Sequence, residues 1–163
     1  MRKPTISVDF DGVLHAYTSG WKGVGVVADG PVPFAIDWLL DCLAAGVHPA
    51  IYSSRSHSLR GRQAMKRAIQ GWGAAHFGIE ASEDMEAWRQ HFDKWTAADY
   101  NPGMDMPSIE EQEAGRWLVR SLGWPWVKPP ALVTIDDRAI CFTGSFDELK
   151  PKELLEFKPW NKR

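Results

Sequence analysis

The stretch from Ile6 to Leu14 constrains the fold more than any other part of this chain. Its apolar residues alternate with small or polar ones, the period-two pattern that predicts a β-strand. Gly12 then permits a sharp turn, so Asp9 and Asp11 lie at the carboxyl end of that strand with both side chains on one side. This edge is where open α/β sheets bind ligands. Two like charges this close favour a cation between them, and Mg²⁺ is the usual hard divalent ion.

The segments that follow predict a parallel α/β unit. A helix is predicted over residues 33–45 and a second strand over residues 47–53. The expected buried stripe of this helix comprises Phe34, Trp38, Leu39, Cys42 and Leu43. A strand, a helix and a strand with short links are typical of a right-handed parallel crossover. Before the helix, Trp21 to Gly23 has the composition of a hairpin tip, with Val24 to Val27 on the returning arm.

The rest of the chain predicts more helices and short strands within one domain, residues 1–163. Helices are predicted at 59–70, 82–98 and 109–122, and short strands at 124–127, 131–135 and 140–142. Gly71 and Gly73 are expected to interrupt the helical pattern. Residues 72–110 therefore have the character of a helical insertion between the second and third strands. We expect it to form a lid or side wall of the site, or to pack elsewhere and add only stability.

Polar groups follow two more of the predicted strands. Ser53-Ser54-Arg55 comes after the second strand and before a helix, where hydroxyl and backbone N–H groups can cradle a phosphate. A serine-rich turn without a ligand is the alternative. Asp136 and Asp137 end the strand at 131–135, and Lys128 lies three residues before it. Taken alone, the acid pair is also typical of a turn, and the lysine of a solvated loop.

Together, in this order, these segments resemble the four motifs of the haloacid dehalogenase-like (HAD) superfamily, and in particular small HAD proteins of bacteria and phages. The resemblance implies an α/β fold, a three-layer Rossmann-like parallel sheet, with no large cap because the segment after Leu14 is short. It also implies Asp9 as nucleophile and Asp11 as general acid and base. Ser53 and Lys128 would hold the phosphoryl group, with Ser54 and Arg55 beside them.

The resemblance also implies a Mg²⁺ cofactor. Its ligands would be Asp9, the backbone carbonyl of Asp11, and Asp136, while Asp137 would act through water or by orienting Lys128. The function expected is hydrolysis of a small phosphorylated substrate, such as a nucleotide, through an aspartyl-phosphate. Two alternatives stay open: a phosphatase acting on polynucleotide ends, and a non-catalytic phosphate-binding or scaffold protein of the same fold.

Composition and charge limit which binding partners and which cellular location are expected. The net charge is −2, which lacks the global basic character of non-specific nucleic-acid binders, so nucleic acid is a partner less favoured than a small molecule. Residues 42–79 nevertheless contain basic residues and no acidic one, whereas residues 80–113 contain ten acids. Two unpatterned cysteines and the lack of a long apolar run predict a cytoplasmic protein without a membrane partner. Nothing in the sequence indicates an oligomeric state.

Overall fold

The structure, a computed structural model, describes residues 3–78, 109–139, 143–145 and 158–162. Its centre is a small parallel sheet of β1 (Thr5–Val8), β2 (His48–Ile51) and β3 (Thr134–Ile135). The strand order is β2-β1-β3, and both pairings are parallel. The α/β class expected from the sequence is confirmed, and the strand that carries Asp9 and Asp11 is central among the three.

Three helices accompany the sheet: α1 (Ala35–Ala44), α2 (Leu59–Gly78) and α3 (Ile109–Ser121). A 3₁₀ turn at Ser54–His57 joins β2 to α2, and a second one lies at Trp160–Lys162. The core forms where β1 and β2 pack against all three helices. Its fully buried side chains include Val8, Phe10, Leu14, Ile36, Leu39, Ile51, Met65, Ile69 and Leu118. None of the helices in the described ranges has the length and apolar composition needed to cross a membrane.

Helix α2 continues through the two glycines that were expected to interrupt it. Gly73 packs against the side chain of Leu118, and a Cβ on Gly115 would collide with the backbone of Gln70. Gly73 and Gly115 thus allow close contact between α2 and α3, and this packing outweighs their low helix propensity, whereas a side chain at Gly71 would meet no neighbour. Residues 72–78, predicted to open the insertion, are the last two turns of α2, and Trp72 is buried in the core. Residues 79–108 lie outside the described residues.

The buried face of α1 differs from the predicted stripe. Phe34 and Trp38 are exposed, whereas Ile36 and Leu39 are fully buried. Phe34 does not belong to the helix, because it precedes α1 in a left-handed conformation with φ of 64°. The rest of the predicted stripe is confirmed, because Leu39 lies in the core and Cys42 and Leu43 pack against it.

The segment between β1 and α1 leaves the sheet edge and returns to it without forming the predicted hairpin. Its two ends are joined by backbone hydrogen bonds from Ala16 to Gly30 (2.9 Å) and from Val32 to Leu14 (2.7 Å). No strand occurs between residues 17 and 30. The carbonyl groups of Gly23 and Val24 accept hydrogen bonds from the Arg55 side chain. We call residues 17–30 the glycine-rich excursion.

The strand predicted at 124–127 is wrong, and an isolated bridge at Gly123, the residue before it, lies beside β2 instead. Gly123 pairs with β2 through hydrogen bonds to the backbone of Pro49 and Ile51, both 2.8 Å, and residues 124–127 form no strand. The pairing leaves no room for a side chain, because a Cβ on Gly123 would press on Ala50 and His48. The strand predicted at 131–135 is confirmed over its last two residues, and the one at 140–142 lies outside the described residues.

Candidate active site

A cavity of about 320 Å³ lies at the carboxyl ends of the three strands. Its position follows from the fold, since the residues after parallel strands meet at one edge of the sheet. The lining combines carboxylates, hydroxyls, cations and aromatic rings. It comprises Ser7, Asp9, Asp11, Tyr17, Trp21, Tyr52, Ser53, Ser54, Lys128, Thr134, Asp136 and Arg138. Most of the predicted site residues therefore meet in one place.

Three carboxylates form a cluster on one side of this cavity, and we call Asp9, Asp136 and Asp137 the acidic cluster. Asp9 directly follows β1 and Asp136 directly follows β3, so the pairing of these strands brings them together. One oxygen from each of the three side chains lies within 4.8 Å of the others. Among the described residues, the cation beside the cluster is Arg138, whose Nε lies 3.7 Å from Asp137.

Asp137 is the buried member of the acidic cluster. Its side chain is 1% exposed, and neither carboxylate oxygen has a hydrogen-bond partner in the described part of the chain. The carboxylate lies against Gly12, where any Cβ would collide with it. Gly12 has φ of 89°, so both its conformation and its neighbour require glycine. Burial raises the pKa of Asp137 above its usual range.

Asp9 shares this electrostatic environment. Burial raises its pKa from 3.8 to about 7. The backbone N–H of Phe10, which donates to the Asp9 carboxylate at 2.7 Å, opposes the shift, while the negative charges of Asp136, Asp11 and Asp137 add to it. Crowded carboxylates of this kind are stabilised as anions when a cation lies between them.

Asp11 is only two residues from Asp9, but both of its carboxylate oxygens have strong partners. The Nδ1 of His15 contacts one oxygen at 2.8 Å, and the Nε of Arg55 donates to the other at 2.8 Å. Burial alone would raise the pKa of Asp11, but these two hydrogen bonds and the charge of Arg55 outweigh it and lower the pKa. Asp11 is therefore held as an anion by the protein itself.

His15 is buried between its partners. The backbone N–H of Asp29 donates to its Nε2 at 3.1 Å, so this nitrogen is an acceptor. The proton of a neutral imidazole then belongs on Nδ1, which donates to Asp11. The ring also lies beside Phe10 and Trp72, at centroid distances of 5.5 and 6.3 Å, and those two rings stack on each other at 5.8 Å. His15 therefore orients Asp11 rather than lining the cavity.

Arg55 links Asp11 to the glycine-rich excursion. The side chain is fully buried, and its Nη1 donates to the carbonyl groups of Gly23 at 3.1 Å and Val24 at 2.9 Å. Its guanidinium carbon lies 4.8 Å from the centre of the Trp21 ring. Arg55 was predicted to bind substrate, but it does not line the cavity, and this geometry supports a positioning role instead.

Ser53 and Ser54 lie where the sequence predicts a phosphate cradle. Ser53 caps the 3₁₀ turn: its hydroxyl accepts from the backbone N–H of Arg55 at 3.3 Å, and its own N–H donates to Ser56 at 3.1 Å. A hydroxyl that accepts one hydrogen bond still has its proton to donate. Both serines line the cavity, so their hydroxyls can face an anionic ligand there.

Lys128 and Arg138 supply the cations of the lining. Lys128 is exposed, and in the described ranges it forms no ion pair, so its ammonium is available to an anion that enters the cavity. The expected link between Asp137 and Lys128 is not seen among these residues, where the cation nearest Asp137 is Arg138. The backbone N–H of Arg138 also donates to Asp136 at 2.8 Å, which orients that carboxylate.

The donor set of the acidic cluster fits a hard divalent cation such as Mg²⁺. All three side chains offer oxygen, the ligand atom that Mg²⁺ prefers. The buried Asp137 carboxylate, whose oxygens accept no hydrogen bond in the described part of the chain, is the observation that favours an ion over solvent, because a buried charge is costly unless it is hydrogen-bonded as well as paired. The carboxylate of Asp11 is not part of the cluster. The prediction for Asp11 concerned its backbone carbonyl, and it stays a prediction.

Several residues of this site were not singled out from the sequence. His15 follows Asp11 by one turn, and Arg138 directly follows the acid pair, so proximity to the motifs was the only signal. The third is Trp160, whose Nε1 donates to the Gly12 carbonyl at 2.7 Å across 148 positions of sequence. No local pattern indicates that contact.

The chain matches no protein-family model, no curated protein and no solved structure. The function must therefore be argued from the geometry of its own residues.

Proposed function

We propose that this protein is a Mg²⁺-dependent phosphohydrolase that acts on a small phosphorylated substrate through an aspartyl-phosphate. The observation that carries the proposal is the buried carboxylate of Asp137 within the acidic cluster, whose oxygens accept no hydrogen bond in the described part of the chain. The same cavity holds the hydroxyls and the free ammonium that a phosphoryl group would need. An acidic cation site beside an anion cradle suits a phosphate that is bound and transferred.

The proposal includes the HAD-like fold, a three-layer Rossmann-like parallel sheet without a large cap. It is supported by the central position of β1, the parallel order β2-β1-β3, and acids directly after β1 and β3. The short glycine-rich excursion is held onto the site by Arg55, so it occupies the position where a large inserted cap would begin.

The chemistry would proceed in two steps. An oxygen of Asp9 attacks phosphorus, the bond from phosphorus to the leaving oxygen breaks, and the leaving oxygen takes a proton from Asp11. Water then attacks the aspartyl-phosphate, gives its proton to Asp11 and releases phosphate with Asp9 restored. Ser53 and Lys128 would hold the phosphoryl oxygens. A cation bound by the acidic cluster would offset the repulsion between the nucleophile and the phosphate.

Asp11 suits the second step directly, because its partners hold it as an anion that can accept a proton. The first step needs the same carboxyl protonated, against a lowered pKa. We therefore expect turnover to depend steeply on the leaving group. Esters of acidic alcohols such as nitrophenol should react fastest, since they need the least proton donation.

One observation favours the second candidate, a phosphatase of polynucleotide ends. Helix α2 contains no acidic residue, and two of its cations lie over exposed or half-buried indoles of the segment after α3. The guanidinium of Arg62 is 4.0 Å from the Trp126 ring centre, and the ammonium of Lys66 is 5.4 Å from that of Trp124. Alternating cations and aromatic rings are typical of single-strand binding surfaces.

The test is a panel of phosphate esters assayed with Mg²⁺ and with EDTA. The panel contains nitrophenyl phosphate, phosphorylated metabolites, nucleotides and 5′- and 3′-phosphorylated oligonucleotides. We expect turnover of small esters that disappears in EDTA and returns with Mg²⁺. Preference for oligonucleotides would favour the second candidate, and phosphate binding without turnover would favour the non-catalytic alternative. Undiminished turnover in chelator would contradict the role of the metal.

A further inference from the structure

We propose that Trp21, held in place by Arg55, is a stacking platform that selects phosphate monoesters whose leaving group carries a flat aromatic ring, nucleoside monophosphates foremost. This inference rests on the proposed phosphohydrolase function and adds the substrate class to it.

Trp21 is the exposed indole that belongs to the site. Five tryptophans of the described ranges are substantially exposed: Trp21, Trp38, Trp117, Trp126 and Trp160. Of these, Trp21 lines the cavity that contains the acidic cluster, with half of its surface exposed. Tyr17 and Tyr52 line the same cavity, so the space beside the carboxylates has aromatic as well as polar walls. Such a combination suits a ligand with an anionic end and an apolar, planar end.

The ring is held by more than its own loop. One face of Trp21 lies 4.8 Å from the buried guanidinium of Arg55, which attracts the electron-rich face of an indole. The same guanidinium fixes the backbone that follows Trp21 through the carbonyl groups of Gly23 and Val24. A ring fixed on one face loses little further freedom when a ligand stacks on it, which favours binding.

Arg55 also connects this platform to the reacting end of the site. Its Nε donates to Asp11 at 2.8 Å, so one side chain sets both the acid–base residue and the ring. A substrate that stacks on Trp21 would thus have its leaving oxygen positioned relative to Asp11 by a single rigid group. Stacked substrates should gain in kcat as well as in KM, because positioning acts on the transition state.

The cavity size limits the substrate that this platform can serve. A volume of about 320 Å³ is at the lower end of the range for ligand sites, roughly 300 to 1,000 Å³. The phosphoryl-binding groups occupy part of it, which leaves space for one sugar and one base rather than for a chain of them. The opposing interpretation is that Trp21 only shields Arg55 from water and never contacts substrate.

The two interpretations predict different relative rates for a matched pair of substrates. Adenosine 5′-monophosphate and ribose 5-phosphate have the same phosphate ester, and only the first has a base to stack. The measured quantity is the ratio of their kcat/KM values with Mg²⁺. We expect wild-type protein to prefer the nucleotide by roughly 5- to 150-fold, the range that stacking one base on an aromatic ring supplies. Trp21→Leu should lower this ratio to near unity, and Trp21→Phe should lower it only in part.

Trp117→Leu is the matched control, because Trp117 is equally exposed but lies on α3 and does not line the cavity. Its ratio should equal that of the wild type. A Trp21→Leu protein that keeps the wild-type ratio, or a wild type with no preference for the nucleotide, would overturn the stacking role while leaving the phosphohydrolase intact. Wild-type protein that hydrolyses no phosphate ester would overturn both.

A measurement on the unaltered protein covers the case in which Trp21→Leu does not fold. Adenosine, which lacks the phosphate, should inhibit hydrolysis of nitrophenyl phosphate competitively, whereas ribose should not inhibit at the same concentration. Equal inhibition by the two, or none by either, would contradict the platform.

Discussion

Asp11 and the acidic cluster lie side by side in one cavity, and the protein neutralises them differently. Asp11 has a buried guanidinium on one oxygen and an imidazole on the other, and its pKa is lowered. In the cluster, burial and the repulsion between carboxylates raise the pKa of Asp9 and Asp137. The Asp137 carboxylate also accepts no hydrogen bond in the described part of the chain. The difference is that the protein's own side chains hydrogen-bond both oxygens of Asp11 and, in the described part of the chain, neither oxygen of Asp137.

The largest expected effect comes from the cluster itself. Asp9→Asn should abolish turnover of every ester, because an amide cannot serve as the nucleophile. The measurement is steady-state hydrolysis of nitrophenyl phosphate, with unfolding followed in parallel. Asp41→Asn, an exposed carboxylate of α1, is the control and should keep full activity. Near-normal activity in Asp9→Asn would show that another residue is the nucleophile.

Asp11→Asn should slow turnover by a factor on the order of 10² to 10⁴, the usual contribution of general acid–base catalysis. It should also destabilise the protein, since Arg55 would remain buried without a counter-charge; such losses are on the order of 3 kcal/mol. Urea unfolding measures the second effect. Nitrophenyl phosphate should be the least affected ester. An unchanged unfolding midpoint would contradict the pairing of Arg55 with Asp11.

The acidic cluster should make the stability of the folded protein depend on pH in the sense opposite to that of Asp11, and Mg²⁺ should reverse the effect. The folded protein holds a proton on Asp9 up to about pH 7, whereas the unfolded chain releases it near the ordinary value of 3.8. Without metal, stability should therefore fall as the pH rises from about 4 to 7. Mg²⁺ should raise the melting temperature more at pH 8 than at pH 5, where it competes with protons.

Asp137→Asn provides the matched variant for this measurement. Removing the buried charge should raise the metal-free melting temperature at pH 8, by about 2–4 °C for each kcal/mol recovered, and should reduce the shift with Mg²⁺. The opposite signs expected for Asp11→Asn and Asp137→Asn are the sharpest form of the comparison. An equal loss of stability in both variants would show that the protein neutralises the two regions alike.

The smallest effect on kcat is expected at the Gly12 peptide group, which lies between Asp11 and the acidic cluster. Trp160→Phe removes the N–H that donates to the Gly12 carbonyl but keeps an aromatic ring. We expect kcat to fall by at most about tenfold, since one hydrogen bond contributes roughly 1 kcal/mol. Trp117→Phe should leave kcat unchanged. A loss of folding in Trp160→Phe, with kcat per folded molecule unchanged, would make the contact structural only.

The predictions from sequence succeeded where short-range patterns decide the structure. Period-two alternation located β1, an apolar centre at residues 50–52 located β2, and helical spacing located the start of α2 and the span of α3. They failed where distant packing outweighs local preference. Gly73 continues a helix because α3 lies against it, and the arm predicted at Val24 forms no strand, its carbonyl accepting instead from the distant side chain of Arg55.

The sequence by itself determined that acids and hydroxyls follow strands, and parallel pairing then requires them to meet at one edge. Only the tertiary structure decided how the charges are shared. Arg55 is 44 positions from Asp11, and it contacts Asp11 because β1 and β2 are neighbours and Trp21 because the excursion folds back over the strand ends. The sequence determines which side chains carry charge. How those charges are neutralised depends on distance and burial, which long-range packing sets.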